Sequence, residues 1–253
     1  IPKFRTLDAA AERIATAEAP GFARNAVNRV WCLLIGRGLV HPLDLHHRAN
    51  RASHEDLLDL LEREFVAHRF DLKWLMREIA KSETYRRSST LPPDTPKAAD
   101  PRRFTTALER RLSAEQICAS VLEATGERSR ILADEKAATA LSAKFVKAFA
   151  NAPREPETDV EPSLKGALFL RHDPAIRDLL ARRPGNLTDR LIGLKSATAV
   201  ADEMYLSVLT RPPTDAEAAS VAAVFERHAG DRERAFRMLA WALLASAEFG
   251  MNH

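Results

Sequence analysis

The segment Phe22–Ile35 reads FARNAVNRVWCLLI and is followed at once by the turn Gly36-Arg37-Gly38. Its apolar residues recur at intervals of three and four, the spacing that places side chains on one face of an α-helix. These residues are Val27, Val30, Trp31 and Leu34. A glycine directly after the last apolar position is a common helix C-cap, because glycine adopts a left-handed conformation without strain. The segment therefore predicts a helix with one buried face that ends at Gly36.

The same pattern recurs along the rest of the chain. Most apolar helical stretches follow a residue whose side chain can cap a helix N-terminus: Ser53, Asp71, Ser113, Asp173, Thr214 and Asp231. Ser113 and Thr214 are each followed three residues later by Gln or Glu, which is the capping-box arrangement. No segment shows the alternation of a strand. We therefore predict an all-α fold, an irregular multi-helix bundle of about nine to eleven helices with no sheet of any size.

Two proline-rich stretches, residues 90–101 and residues 151–162, interrupt the helical pattern. Proline has no backbone N–H and disfavours the helical conformation of the residue before it. We therefore predict an N-terminal helical segment at 1–89, a proline-rich linker at 90–101 and a C-terminal helical bundle at 102–253. The alternative is that the two helical parts form one continuous domain.

The charge of the chain is nearly balanced, with 38 Lys and Arg against 35 Asp and Glu, a net charge of +3 and a pI of about 9.0. A nucleic-acid binder usually concentrates basic and aromatic side chains on one surface. No recognition helix of that kind is evident, so nucleic-acid binding is the least favoured function. No apolar run reaches the 18 or more residues of a transmembrane helix, and we predict no membrane span.

The two cysteines, Cys32 and Cys118, lie far apart and form no CxxC or CxxCH motif. This spacing excludes a covalently attached c-type haem and a cysteine-based zinc site within the chain. Each cysteine lies in an apolar helical pattern, which favours a small buried side chain. A disulfide between them is the alternative in an oxidising compartment. We predict no cofactor in this chain, and the alternative, a transition-metal site, is considered next.

Four of the eight histidines lie within residues 41–54, close to an aspartate. Imidazole nitrogens and carboxylate oxygens are ligands for zinc, copper and iron. The chain contains no HExxH motif, and the alternative is a polar loop with a histidine in the first turn of the next helix. The candidate metal ligands are His41, His46, His47, His54 and Asp44.

Asn28 and Arg29 are polar residues on the otherwise apolar helix at 22–35. Arg29 could bind a carboxylate or a sulfate through two parallel hydrogen bonds, with Asn28 beside it. The alternative, which we favour, is that the two side chains bind backbone groups of the neighbouring turn. Catalytic residues cannot be assigned, because no nucleophile elbow, phosphate-binding loop or paired acid and base is evident.

Some residues form a signature that helical periodicity alone does not require. They are Asn28–Trp31, Gly36–Val40, Ser53-His54, Thr84-Tyr85, Arg110–Glu115, Glu161–Leu164, Arg211, Pro213-Thr214 and Glu217. In these residues the sequence resembles the planctomycete domain of unknown function called DUF1553, or PSD1. One departure is Leu45-His46-His47, where that family commonly has an acidic and aromatic stretch.

The resemblance implies a larger exported polypeptide with an upstream DUF1549 domain and often a cytochrome c-like domain. We therefore expect a periplasmic or cell-envelope location and a chain that is one piece of a longer protein. The function that we favour is a non-catalytic interaction or scaffold domain that docks onto the upstream domains. The alternative is a metal-dependent enzyme, or an active site shared with the upstream domain, centred on His41–His54.

Overall fold

The computed structural model describes residues 16, 19, 21–89, 100–150 and 164–252. These residues form twelve α-helices, two short 3-10 helices and one small sheet. The predicted all-α fold is confirmed. Two of the helices, Arg128–Leu132 and Leu187–Gly193, were not expected from the sequence. Both are short, five and seven residues, so their apolar periodicity spans too few turns to be recognised.

The chain divides into two compact units, unit 1 up to Arg110 and unit 2 from Arg111 to Asn252. We predicted the boundary within residues 90–101, of which 90–99 lie outside the described residues. Residues 102–110 belong to unit 1. Phe104 explains why, because its side chain is buried in the core of that unit and its ring contacts Trp31 edge-on at 5.5 Å.

Unit 1 contains α1 (Phe22–Ile35), α2 (Glu55–Ala67) and α3 (Leu72–Lys81), followed by the 3-10 helix Pro101–Arg103. Helix α1 packs against both α2 and α3. Its C-cap Gly36 has a φ of 99°, as the sequence predicts for a left-handed cap. The buried side chains come from one face of each helix and include Val27, Trp31, Leu58, Phe65, Leu75 and Ile79.

The N-terminus of α2 differs from the prediction. Ser53 was expected to cap this helix, but α2 begins at Glu55 and the residue before it, His54, makes no capping hydrogen bond. The Glu55 carboxylate instead accepts the Ala52 N–H at 3.1 Å. Ser53 lies one residue before the cap position, and its N–H donates to the carbonyl of Leu39 at 2.8 Å.

Unit 2 contains the remaining nine helices and, after the last of them, a 3-10 helix, Glu248–Gly250. The two-residue strands β1 (Arg110–Arg111) and β2 (Met251–Asn252) pair with each other. Both predicted capping boxes are present, at Ser113 and Thr214. The helices are α4 (Ala114–Thr125), α5 (Arg128–Leu132), α6 (Glu135–Phe149), α7 (Leu164–His172), α8 (Pro174–Leu179), α9 (Leu187–Gly193), α10 (Ala197–Leu209), α11 (Asp215–Arg227) and α12 (Arg232–Leu244).

An arginine connects the last elements of unit 2. The Arg211 guanidinium donates to both carboxylate oxygens of Glu217 at 2.9 Å, and to those of Glu248 at 2.5 and 2.8 Å. Glu217 also accepts the Thr214 N–H at 2.7 Å. The hydrogen bonds from Arg211, and then the one from the Thr214 backbone, lower the pKa of Glu217 from 4.5 to about 2. The ionised form of Glu217 is therefore stabilised by folding.

This lowered pKa predicts the sign of a pH dependence. Stability from Glu217 is fully present above the unfolded pKa of 4.5 and is lost as the pH falls towards about 2. We expect Arg211→Met to lower the unfolding midpoint by roughly 3–6 °C at pH 7. The difference from the wild-type chain should shrink below pH 4.5, which thermal unfolding at several pH values would measure. A difference that stays constant down to pH 2 would contradict the assignment.

Candidate functional site

The sequence-predicted site residues lie on α1 and in the segment that follows it, and the Asn28 side chain binds the backbone of that segment. Asn28 is 0% exposed. Its Nδ2 donates to the carbonyl of Val40 at 2.9 Å, and its Oδ1 accepts the Val40 N–H at 2.9 Å. A Cβ at Gly38 would lie 2.4 Å from the Val40 carbonyl oxygen, so glycine allows this close approach. Asn28 thus uses both polar atoms within the fold.

Arg29 and Asp44 were separate candidates, for an anion and for a metal, and the structure brings them together. One terminal nitrogen of Arg29 donates to the two carboxylate oxygens of Asp44 at 2.8 and 2.7 Å. Both side chains are more than half exposed, so solvent screens the pair and it adds little stability. An incoming anion would have to displace Asp44, and an incoming metal would have to displace Arg29.

The histidines of the loop make separate local contacts. His47 Nδ1 accepts the Ala49 N–H at 3.2 Å, and His46 is exposed. His54 lies with its Nδ1 3.2 Å from the Ser53 hydroxyl and its ring 5.6 Å from that of Phe104. His41 is half-buried at the start of the loop. Within the described parts of the chain, no three His, Cys, Asp or Glu side chains are grouped so that they could hold a metal ion.

Arg24 is the centre of a charged cluster that the sequence did not reveal. From α1 it contacts three carboxylates of α2: Glu55, Asp59 at 2.5 Å and Glu62 at 3.1 Å. Burial lowers the pKa of Arg24, but the hydrogen bonds to Asp59 and Glu62 outweigh burial, so that the pKa is raised. A shallow groove of about 450 Å³ lies along Asp56, Asp59, Glu62 and Arg63. The spacing of Glu55, Asp59 and Glu62 places the three carboxylates on one face of α2. The sequence does not show that Arg24 binds them, because that contact depends on how α1 packs against α2.

A second polar cluster that the sequence did not reveal lies in unit 2, around the buried carboxylate of Glu127. Glu127 is 2% exposed and follows the α4 C-cap, where a glutamate would ordinarily face solvent. It accepts hydrogen bonds from Arg130 Nε and from Asn186 Nδ2, the latter at 2.8 Å. Nη1 of Arg183 lies 3.5 Å from Oε1 of Glu127. This network connects the end of α4 to the start of α9.

The family model PSD1, described as a protein of unknown function (DUF1553), matches residues 8–159. The chain belongs to the DUF1553 family. The match to DUF1553 includes Asn28, the loop after α1 and all three described helices of unit 1. The resembling residues from Glu161 onward lie beyond the matched range. Neither a curated protein nor a solved structure matches the sequence.

The resolved pKa shifts of the DUF1553 chain all point away from neutral pH. Burial raises the pKa of the Cys32 and Cys118 thiols, which are both buried and free. A protonated thiol is a poor nucleophile. The pKa values of Glu217, Asp173 and Asp189 are lowered, so these carboxylates stay ionised at neutral pH. None of these shifts produces a group that exchanges a proton readily at pH 7.

The outer surface of α3 carries two exposed apolar side chains that are neighbours on the helix. Eleven large apolar side chains are exposed among the described residues, and only Leu72 and Met76 of these lie one helical turn apart. Leu72 is 51% exposed and Met76 is 47% exposed. Residues at i and i+4 on a helix are neighbours in space.

No helix among the described residues is long and apolar enough to span a membrane.

Proposed function

We propose that this DUF1553 chain is a non-catalytic helical interaction domain. It docks onto other domains of the same larger exported polypeptide, in particular upstream domains of the DUF1549 and cytochrome c-like types. The observation that carries the proposal is the exposed apolar pair Leu72 and Met76 on α3. Contiguous apolar surface of this kind is typical of a site that another protein surface covers.

The polar clusters support the proposal because they bind within the fold. Asn28 binds the loop backbone, Arg24 binds three carboxylates of α2, and Glu127 binds an arginine and an asparagine. Each cluster stabilises a loop or a helix pair. A binding domain requires a stable scaffold with an apolar contact surface, and these clusters supply the scaffold.

The test is direct binding between this chain and the remaining domains of its natural polypeptide, expressed separately and followed by sedimentation velocity. We expect a 1:1 complex, and we expect Leu72→Asp together with Met76→Asp to weaken it at least about tenfold. The matched control is Leu206→Asp, because Leu206 is 53% exposed on α10 of unit 2. The absence of any complex at about 100 µM of each partner would overturn the proposal.

The competing function is a metal-dependent enzyme centred on His41–His54. Elemental analysis of the purified chain, combined with thermal unfolding with and without a chelator, separates the two functions. One equivalent of a transition metal together with a midpoint that falls on chelation would overturn the interaction domain. In that case His54→Ala should abolish the effect of the chelator.

A further inference from the structure

Helix α3 presents three parallel stripes of side chains. Leu75 and Ile79 face the core of unit 1 and are 0% and 2% exposed. Leu72 and Met76 form the next stripe around the helix, half exposed. Lys73 and Arg77 form the third stripe, about 100° further around the axis, since each residue advances by that angle. The apolar side of α3 is thus wider than the core that covers it, and its open edge is bordered by two cations.

The two cations are available for a partner. The side chains of Lys73 and Arg77 are exposed and make no hydrogen bond or ion pair with any described residue. By contrast, Lys81 at the end of the same helix is paired with Glu78 at 3.0 Å. Unpaired cations beside an apolar stripe favour an anionic amphipathic partner, because opposite charges and apolar contact then occur together.

We propose that this face of α3 binds an acidic amphipathic helical segment of another polypeptide region. The inference rests on the proposed function and names its partner class. The partner places apolar side chains one turn apart against Leu72 and Met76, and places Asp or Glu at the same spacing against Lys73 and Arg77. This is the helix-to-helix mode of recognition, in which anchors recur at i, i+3 and i+4. The flexible Met76 side chain adapts to the shape of the apolar anchor.

Two other classes of partner fit this face less well. An anionic membrane would require an apolar surface free to insert, but α3 has ten residues and its strongest apolar side lies in the core. A single-stranded nucleic acid would require an exposed aromatic platform. The aromatic residue of α3, Trp74, is half-buried and stacks on the His68 ring with centroids 3.8 Å apart.

The experiment measures binding of the whole chain to designed helical peptides by fluorescence anisotropy. The probe is a labelled peptide of about 15 residues with leucines at i and i+4 flanked by glutamates, since shorter helices are marginal in water. Its matched control carries lysines in place of the glutamates. We expect the acidic peptide to bind with a Kd of about 10–100 µM that weakens as salt rises. The lysine peptide should bind at least about fivefold more weakly.

A charge exchange makes the test specific to α3. Lys73→Glu with Arg77→Glu should weaken binding of the acidic peptide at least about fivefold and should restore binding of the lysine peptide. Leu72→Asp with Met76→Asp should weaken both peptides. Arg128→Glu is the control, because Arg128 is an exposed cation of unit 2. Circular dichroism of each variant checks that the helices are retained.

Several results would overturn the inference. They are equal binding of the two peptides, a loss that Arg128→Glu reproduces, or tighter binding to phosphatidylserine vesicles or duplex DNA than to the acidic peptide. A concentration-dependent dimer abolished by Lys73→Glu with Arg77→Glu would assign the face to a second copy of this chain and would also overturn it. If the natural domains bind but the charge variants have no effect, the inference fails while the proposed function stands. If the peptide binds but no natural domain does, the proposed function fails.

Discussion

Asn28→Ala is expected to lower the free energy of unfolding by about 3 kcal/mol, because it leaves buried backbone groups without partners. The amide of Asn28 is 0% exposed and satisfies both the N–H and the carbonyl of Val40. After the substitution neither group has another partner close by, and water reaches them only if the loop opens. Urea denaturation followed by circular dichroism measures the change.

The matched control is Asn25→Ala on the same helix. The Oδ1 of Asn25 is buried and makes no hydrogen bond, so its loss should cost less than about 1 kcal/mol. Hydrogen exchange should also become faster at the Val40 N–H in the Asn28 variant, and not in the Asn25 variant. Equal destabilisation by the two substitutions would show that Asn28 does not hold the loop through these bonds.

Glu127→Ala is expected to destabilise the protein by about 3 kcal/mol, because it removes two hydrogen bonds to a buried carboxylate. Breaking a fully buried ion pair costs up to about 5 kcal/mol. We expect a smaller loss here, because Arg130 is 42% exposed and also binds Asp178 at 3.0 Å. Glu127→Gln should cost less, since an amide oxygen still accepts from Asn186. Chemical denaturation with a probe in unit 2 measures both variants.

Glu123→Ala is the control for Glu127. Glu123 pairs with Arg128, but both side chains are 58% exposed, so the loss should lie within about 0.5 kcal/mol. A Glu127 variant that is no less stable than the Glu123 variant would mean that the buried network contributes nothing. A loss confined to Glu127 would explain why a charged residue occupies an interior position at the end of α4.

The candidate site residues named from the sequence remain a prediction, and the structure adds how their side chains are arranged. The sequence located the polar loop after α1 and named Asn28, Arg29, Asp44 and the histidines. It could not show that Arg29 binds Asp44, because a spacing of 15 residues across a loop leaves their distance open. It likewise could not show that the histidines contact different groups. Helical periodicity also places Leu72 and Met76 close to Leu75 and Ile79 on α3, but only the last two are buried.

Sequence patterns alone establish the all-α class, several of the helix N-termini and the family. These properties depend on interactions within about four residues, such as the capping boxes at Ser113 and Thr214 and the glycine cap at Gly36. Which polar and apolar groups meet does not follow from these local interactions. Asn186 and Glu127 are 59 residues apart, and Arg24 and Glu62 are 38 apart. The distance between such groups depends on how the helices pack. For the same reason periodicity places Leu72 on the apolar side of α3 but does not determine how far the core extends to cover it.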